Sequence, residues 1–488
     1  MSDFRLNIAP LGVDNEAGAA SSLHRLPCRA PVIVPPSASL RDTLYRMNQA
    51  REDAAVIVDE ASSLPLGLVT LRDLVHIISF EGGELDAPVA GSMIAAPLTI
   101  PADAPPHRAK VMMAKRSVRH LLLVDGAGRL AGIISQADLF GPRAADADDL
   151  VGAIAAARDV EAMAIAADSV RRHARELFSS GMAVEALCQW MSGLNDLVGM
   201  RIIELIEDEF DLPPVSWCWM VFGSEGRLEQ TLVTDQDNGL IFQPADPAAT
   251  EETRNAFLPF ARAVNEALHY CGFERCRGKI MAGNPKWCLS EAEWRAQFES
   301  WLRTPTPDAL MHGAIFFDFR PLYGSQDLVD RLRSWLAPKA PEYPLFFRAL
   351  TEDALTCAPP VGWAGQFVYD RNKDFPHTID LKQAGARPFV DAARLWGLQY
   401  GAWETSTADR LRVTAPHIGR SPEDTAATIE AFHLVQRFRI HQQGSTQDPD
   451  RSNRLDPSDL NELHRLMLKE AFKQAKRIQL RLKQDQGI

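Results

Sequence analysis

"FGSEGRLEQTLVTDQDNGLIF" runs from Phe222 to Phe242 and places a Gly-Ser turn shortly before an Asp-x-Asp pair. The preceding "VSWCWMVF" is an aromatic and β-branched run, which reads as a strand ending at Gly223-Ser224. "EGRLEQTL" then reads as a turn and short helix, and "TDQDNGLIF" as a second strand. In an extended segment, residues two apart share a face, so Asp235 and Asp237 project together. Two carboxylates held that close repel unless a cation or positive partner lies between them. Such a pair of hard oxygen ligands suits Mg²⁺, which takes one or two carboxylates plus substrate phosphates. Gly223 lets the backbone approach a phosphate, and Ser224 adds a hydroxyl beside main-chain N–H donors. The competing reading is a solvated turn in which Asp and Asn simply favour loop conformations.

The order strand, Gly-Ser turn, then Asp-x-Asp on the next strand resembles the nucleotidyltransferase core of the DNA polymerase β superfamily. Within it, the stretch is most similar to the uridylyltransferase-like domain of the PII-modifying enzymes, in the DUF294 branch. The residues carrying the resemblance are Gly223, Ser224, Gly226, Arg227 and Glu229, followed by Thr234-Asp235-Gln236-Asp237. It implies that Asp235 and Asp237 are catalytic metal ligands and that Gly223, Ser224 and Arg227 bind nucleotide. It also implies a third carboxylate on a later strand. Asp318, in "GAIFFDFRPLYG", is the matching residue, and an Asp in mid-strand is costly if buried unpaired. The alternative for Asp318 is a salt bridge to Arg320 or another basic residue. "NPKW" at 284–287 matches a further signature, with Trp287 read as a core, interface or base-stacking ring. Downstream, "HTIDLKQAGARPFVDAARLWGLQYG" resembles the segment opening the helical region behind that core. There Lys382 and Arg387 stand as candidate triphosphate ligands, or as a solvated Lys and a helix-capping Arg. The remaining C-terminal segments read as a helical bundle, with Ser421 and Asp456 as helix starts.

An internal repeat occupies the N-terminal third. "AAVIVD…LGLVTLRDLV" matches "HLLLVDGAGRLAGIISQADLF", with Gly67 and Gly132 at equivalent points. One copy alone would leave an apolar face uncovered, so two imply a pseudo-symmetric pair. The repeat resembles a tandem CBS pair, carried by "GLVTLRD" at 67–73 and "GIISQAD" at 132–138. That resemblance implies an adenine nucleotide, AMP or ATP, held by Thr70, Asp73, Ser135 and Asp138. The same Thr-x-x-Asp and Ser-x-x-Asp patterns are also capping boxes that start a helix with no ligand.

The 488 residues are 46% hydrophobic and 24% charged, with a net charge of −12. That balance argues against a broad affinity for nucleic acid, which needs a basic surface. No apolar run approaches the ~18 residues of a membrane helix. The opening "MSDFRLNIAPLGVDNEAG" lacks a basic segment followed by an apolar one, so no secretory signal is expected, and the seven scattered cysteines suit a reducing cytoplasm.

The expected architecture is multidomain α+β. It comprises a flexible arm (1–27), a tandem CBS pair (28–141), a helical connector (142–212), a mixed-sheet nucleotidyltransferase-like core (213–340) and a C-terminal helical domain (341–488). The expected function is Mg²⁺-dependent transfer of a nucleoside monophosphate from an NTP to an acceptor, a protein among the candidates, under control of the CBS pair. The alternative is a catalytically silent nucleotide-sensing protein. CBS pairs commonly associate, so a homodimer is expected, with no membrane or nucleic-acid partner.

Overall fold

A computed structural model of the chain describes Leu23 and most of residues 31–488. Outside the description lie 1–22, 24–30, 51, 53, 60–61, 72, 75–76, 78–84, 105–107, 110–111, 114–115, 117, 119, 136–143, 371 and 447. Two compact units result, residues 8–152 and 153–488. The expected arm and Asp138 fall outside the described residues, apart from Leu23.

In the first unit, the repeat is visible in the strand registers. β1 (Val32–Val34), β2 (Ala54–Val58), β3 (Pro65–Thr70) and β4 (Ile94–Ala95) form one sheet. β5 (Thr99–Pro101), β6 (His120–Val124) and β7 (Leu130–Ser135) form another. β2 pairs antiparallel with β3 through Ala54↔Thr70 and Ile57↔Gly67, and β6 pairs with β7 through His120↔Ser135 and Leu123↔Gly132. The register shifts at the same step in both copies. Strand alternation divides each apolar run between two cores. Ala55 and Ile57 of β2 join the core of their own copy, together with Leu40 and Met47. Ala54, Val56 and Val58 face the other way and meet Leu122 and Ile133 of the second copy. Each copy thus covers the apolar face of the other.

In the second unit, a four-stranded mixed sheet runs in the order β12 (Cys288–Ser290), β10 (Asn238–Phe242), β8 (Trp217–Val221) and β13 (Arg320–Gly324). β10 is antiparallel to β8 and parallel to β12. Cys218, Met220 and Phe222 enter a core that continues into the C-terminal helices. Trp219 turns the other way, 6.4 Å from the Phe260 ring of the helix Thr250–Tyr270. The helix Val184–Glu207, expected as part of a connector, packs against β13 and belongs to this unit. The segment from Ala144, the start of the expected connector, is helical to Ala156.

Two expectations are corrected by local structure. "TDQDNGLIF" is not one strand. Asp235–Gln236 forms β9, which pairs with Glu274–Arg275 (β11), and Asp237 breaks the run before β10. Asp318 is not in mid-strand either, because the apolar run "DALMHGAIF" is helical (Pro307–Phe316) and β13 starts only at Arg320. Asp318 sits in the bend between them.

In the C-terminal half, the strand Ile379–Asp380 (β14) pairs with Arg454–Leu455 (β15). The helix Arg387–Gln399 is buried on all sides from Pro388 to Gly397. Ser421 caps the helix Pro422–Ser445, accepting from the Asp424 N–H at 3.0 Å. Asp456 caps only a single turn, and Asn461 caps the long helix Glu462–Asp485.

Candidate functional site

The Asp-x-Asp pair is presented by its neighbours. Gln236 and Asn238 point inward and are fixed by polar contacts to the helix Thr250–Tyr270. Gln236 Nε2 donates to the carbonyls of Asn265 and Phe273 at 3.0 Å, and Asn238 Oδ1 accepts from Asn265 and from the Ala282 N–H at 2.9 Å. Alternation then sends Asp235 and Asp237 to the opposite side, where both stay partly exposed. Lys382 Nζ, next to β14, reaches Asp235 Oδ2 at 3.4 Å. Burial pushes the Asp237 carboxyl up to about 6; the Cys276 thiol bonded to it opposes the rise, and the neighbouring Asp235 charge adds to it.

The Gly-Ser turn faces this pair. Gly223 has φ +55°, and a Cβ there would stand 2.7 Å from Asp237 Oδ2, so only glycine fits. A Cβ on Gly226 would lie 1.7 Å from the Asp318 carbonyl oxygen. The two glycines let a one-turn helix, Gly223–Gly226, wedge between Asp237 and the Asp318 bend, with Ser224 on its partly exposed side. Leu228 just beyond is also held at φ +59°, which costs a non-glycine residue about 1 kcal/mol and fixes the turn tightly. Buried within the turn, the Glu225 carboxyl is pushed up to about 8 against the pull of Arg320, with Asp196 and Asp237 adding to the rise.

Asp318 does not join the pair. It is fully buried, and both oxygens are taken by guanidinium groups. Arg227 Nη1 donates to Oδ2 at 2.6 Å, Arg394 Nη2 to the same oxygen at 2.7 Å, and Arg410 to Oδ1. These cations hold the carboxyl far below the ordinary carboxylate range despite its burial. Arg227 is committed inward as well, its Nε donating to Glu229 at 2.8 Å. Glu229 accepts the Thr407 N–H at 2.6 Å, at the start of the helix Thr407–Thr414. Arg387, partly exposed, is paired with Asp353 and Asp391. Trp287 is buried, with its indole N–H on the Lys279 carbonyl.

The structure therefore brings together Gly223, Ser224, Asp235, Asp237 and Lys382, and it assigns Asp318 and Arg227 to an internal charge cluster. Among the described residues, no group of three or more His, Cys, Asp or Glu side chains is placed to hold a metal ion. The two carboxylates of the pair nonetheless fit Mg²⁺, whose remaining positions water and substrate phosphates fill.

In the first unit, Thr70 and Asp73 close a reciprocal capping box. The Thr70 hydroxyl and N–H donate to Asp73 Oδ2 at 2.7 and 2.9 Å, and the Asp73 N–H donates back to Thr70 Oγ1 at 3.3 Å. Ser135 ends β7 at the position equivalent to Thr70.

A glycine-tight Gly-Ser turn set on a mixed sheet against an Asp-x-Asp pair defines the nucleotidyltransferase-like class. Residues 168–308 match the family described as "Putative nucleotidyltransferase DUF294". Residues 344–486 match "Putative nucleotidyltransferase substrate binding domain", and 23–79 and 89–141 match "CBS domain". The chain carries these domains in that order: a CBS pair, the DUF294 domain and its C-terminal companion. An uncharacterized protein of Methanopyrus kandleri is 30% identical over 105 residues, covering 21% of this chain and 53% of the relative. The chain thus spans about half the length of that curated relative. A CBS domain protein of Pyrobaculum aerophilum, solved with AMP, is 27% identical over 25% of this chain and 93% of its own, at a TM-score of 0.24. A CBS-domain protein of Agrobacterium tumefaciens is 28% identical over 23% and 87%, at a TM-score of 0.21. No helix among the described residues is long and apolar enough to cross a membrane.

Proposed function

We propose that the DUF294 region is a Mg²⁺-dependent nucleotidyltransferase that moves a nucleoside monophosphate from an NTP to an acceptor hydroxyl, on a protein or a smaller molecule. The observation that carries this reading is the contact of the Gly223 turn with Asp237, which sets a phosphate-sized turn beside two carboxylates and Lys382. The acceptor oxygen forms a bond to the α-phosphorus, the bond to the β-phosphate oxygen breaks, and pyrophosphate leaves. Bound Mg²⁺, held by Asp235 and Asp237, supplies neutralisation of the phosphates and of the attacking and leaving oxygens. Ser224 and the amides of its turn hold phosphate oxygens. Lys382, released from Asp235, adds a positive charge on the far side. The acceptor's proton leaves to a carboxylate oxygen of the pair or to water. Asp318 enters as the anchor of Arg227, and through it of the turn, rather than as a ligand.

The enclosure of Asp318 favours a second reading, a nucleotide-binding sensor without turnover, because the pair is left with two carboxylates. Purified protein incubated with Mg²⁺, each labelled NTP and lysate separates them. Label transfer that Asp235→Asn abolishes supports the enzyme, whereas tight NTP binding with neither transfer nor pyrophosphate release leaves the sensor. For the CBS pair, we propose an adenine nucleotide site at Thr70, Asp73, Ser135 and Asp138, and self-association into a homodimer in the cytoplasm. AMP or ATP that fails to raise the melting temperature would count against that site.

A further inference from the structure

Five described arginines are buried: Arg254, Arg320, Arg394, Arg410 and Arg439. The first four each pair with a carboxylate. Arg439, 8% exposed, pairs with none among the described residues. Neutral amides hold it instead. Its Nε donates to Asn453 Oδ1 at 3.0 Å and its Nη1 to Gln436 Oε1 at 2.6 Å, while Nη2 makes no hydrogen bond among the described residues. A buried cation without a counter-charge is unfavourable, and a guanidinium oriented by two neutral acceptors is presented for an anion that arrives from outside.

The position points to the same site. Arg439 lies on the helix Pro422–Ser445, whose Gln443 accepts the Val233 N–H at 3.3 Å, two residues before Asp235. Asn453, which holds Arg439, accepts the Leu381 N–H at 2.9 Å, next to Lys382. Arg439 and Lys382 therefore approach the Asp-x-Asp segment on one hydrogen-bonded frame. Burial lowers the Arg439 pKa; Asp380 and Asp235 oppose the fall, and the Arg227 charge adds to it.

We propose that Arg439 is a phosphate-binding residue of the nucleotide site, its free Nη2 edge taking an oxygen of the triphosphate opposite the Asp235–Asp237 pair. This assignment rests on the reading of that site as an NTP site.

Calorimetry on the full-length protein tests it, with inorganic tripolyphosphate and then ATP, CTP, GTP and UTP with Mg²⁺ as probes. Arg439→Gln should weaken tripolyphosphate and all four nucleotides alike, by about tenfold or more, because the contact is to phosphate and not base. Unchanged affinity overturns the assignment, and a lower melting temperature with unchanged affinity marks a structural residue. If Arg439→Gln does not fold, Arg439→Lys is read instead. It keeps the charge and loses the fork, so a several-fold loss is expected, and wild-type affinity overturns the proposal. Arg439-dependent binding without label transfer keeps the assignment and removes the transferase; transfer unaffected by Arg439→Gln does the reverse. A wild-type protein that binds neither tripolyphosphate nor any NTP removes both.

Discussion

Asp318 lies within the same sheet unit as Asp235 and Asp237, yet its surroundings are opposite. Asp318 is fully buried and spends both oxygens on Arg227, Arg394 and Arg410. Asp235 and Asp237 stay partly exposed, with a single lysine at 3.4 Å and a thiol as their polar company. Surplus cations depress the pKa of the first, whereas burial beside a like charge raises that of Asp237. The difference separates a carboxylate that holds the protein together from a pair kept electrostatically unsatisfied. The arginines on Asp318 come from the turn and from two C-terminal helices, so one carboxylate fastens the sheet layer to the helical bundle.

The largest effect should come from breaking that fastening. Asp318→Asn leaves the buried Arg410 with no carboxylate and Arg227 and Arg394 with one each, and is expected to cost about 3–5 kcal/mol in urea unfolding. Its folded pKa is depressed, so its contribution is present above the ordinary carboxylate range, near ~4, and is lost as pH falls below it. The gap between wild type and variant should thus be wide at pH 7 and narrow toward pH 3. A variant as stable as wild type at pH 7, with metal-dependent activity lost, would return Asp318 to the metal site.

Asp237→Asn should act with the opposite sign. Its folded pKa of about 6 lies above the unfolded value, so wild-type stability falls as pH rises from ~4 through 6. The amide escapes that loss, and Asp237→Asn should be more stable by about 1–2 kcal/mol at pH 7.5 and equal to wild type near pH 4. Label transfer should disappear in the same variant. A destabilised Asp237→Asn at pH 7.5 would place this carboxylate in a satisfied network like that of Asp318.

Local pattern made the pair legible and left its partners hidden. Strand periodicity and the Gly-Ser turn placed Asp235 and Asp237 on one side, and the repeat placed both CBS sheets. Two of the three partners of Asp318, Arg394 and Arg410, lie 76 and 92 residues downstream, on helices where an arginine reads as an exposed residue. Two signals were present: Arg394 interrupts the largely apolar run "AARLWGL", and a buried acid in "FFDF" demands cations from somewhere. "IFFDFRPL" read as one strand because aromatic residues favour strands, but the helix Pro307–Phe316 takes its first two residues and the strand starts only at Arg320. Arg439 was hidden because it stands two residues from both Arg437 and His441, and that local pattern does not mark its face of the helix as buried. Only burial against Gln436 and Asn453 separates it from its neighbours.

Asp73 offers an intermediate case and the smallest expected effect. It is neither locked by cations nor left open, because it spends an oxygen on the Thr70 N–H and hydroxyl of its own helix start. Asp73→Asn weakens that cap by about 0.5–1 kcal/mol without ligand, a loss thermal unfolding resolves. If the cap is its whole role, AMP should raise the melting temperature of variant and wild type by the same amount. If the carboxylate turns outward to a ribose, the AMP-induced rise should vanish in Asp73→Asn while the small loss without ligand persists. Thr70→Val distinguishes the cap from the ligand contact further, since it removes the hydroxyl but leaves the Asp73 carboxylate free to bind. A rise retained in Thr70→Val and lost in Asp73→Asn would place the acid, rather than the hydroxyl, on the nucleotide.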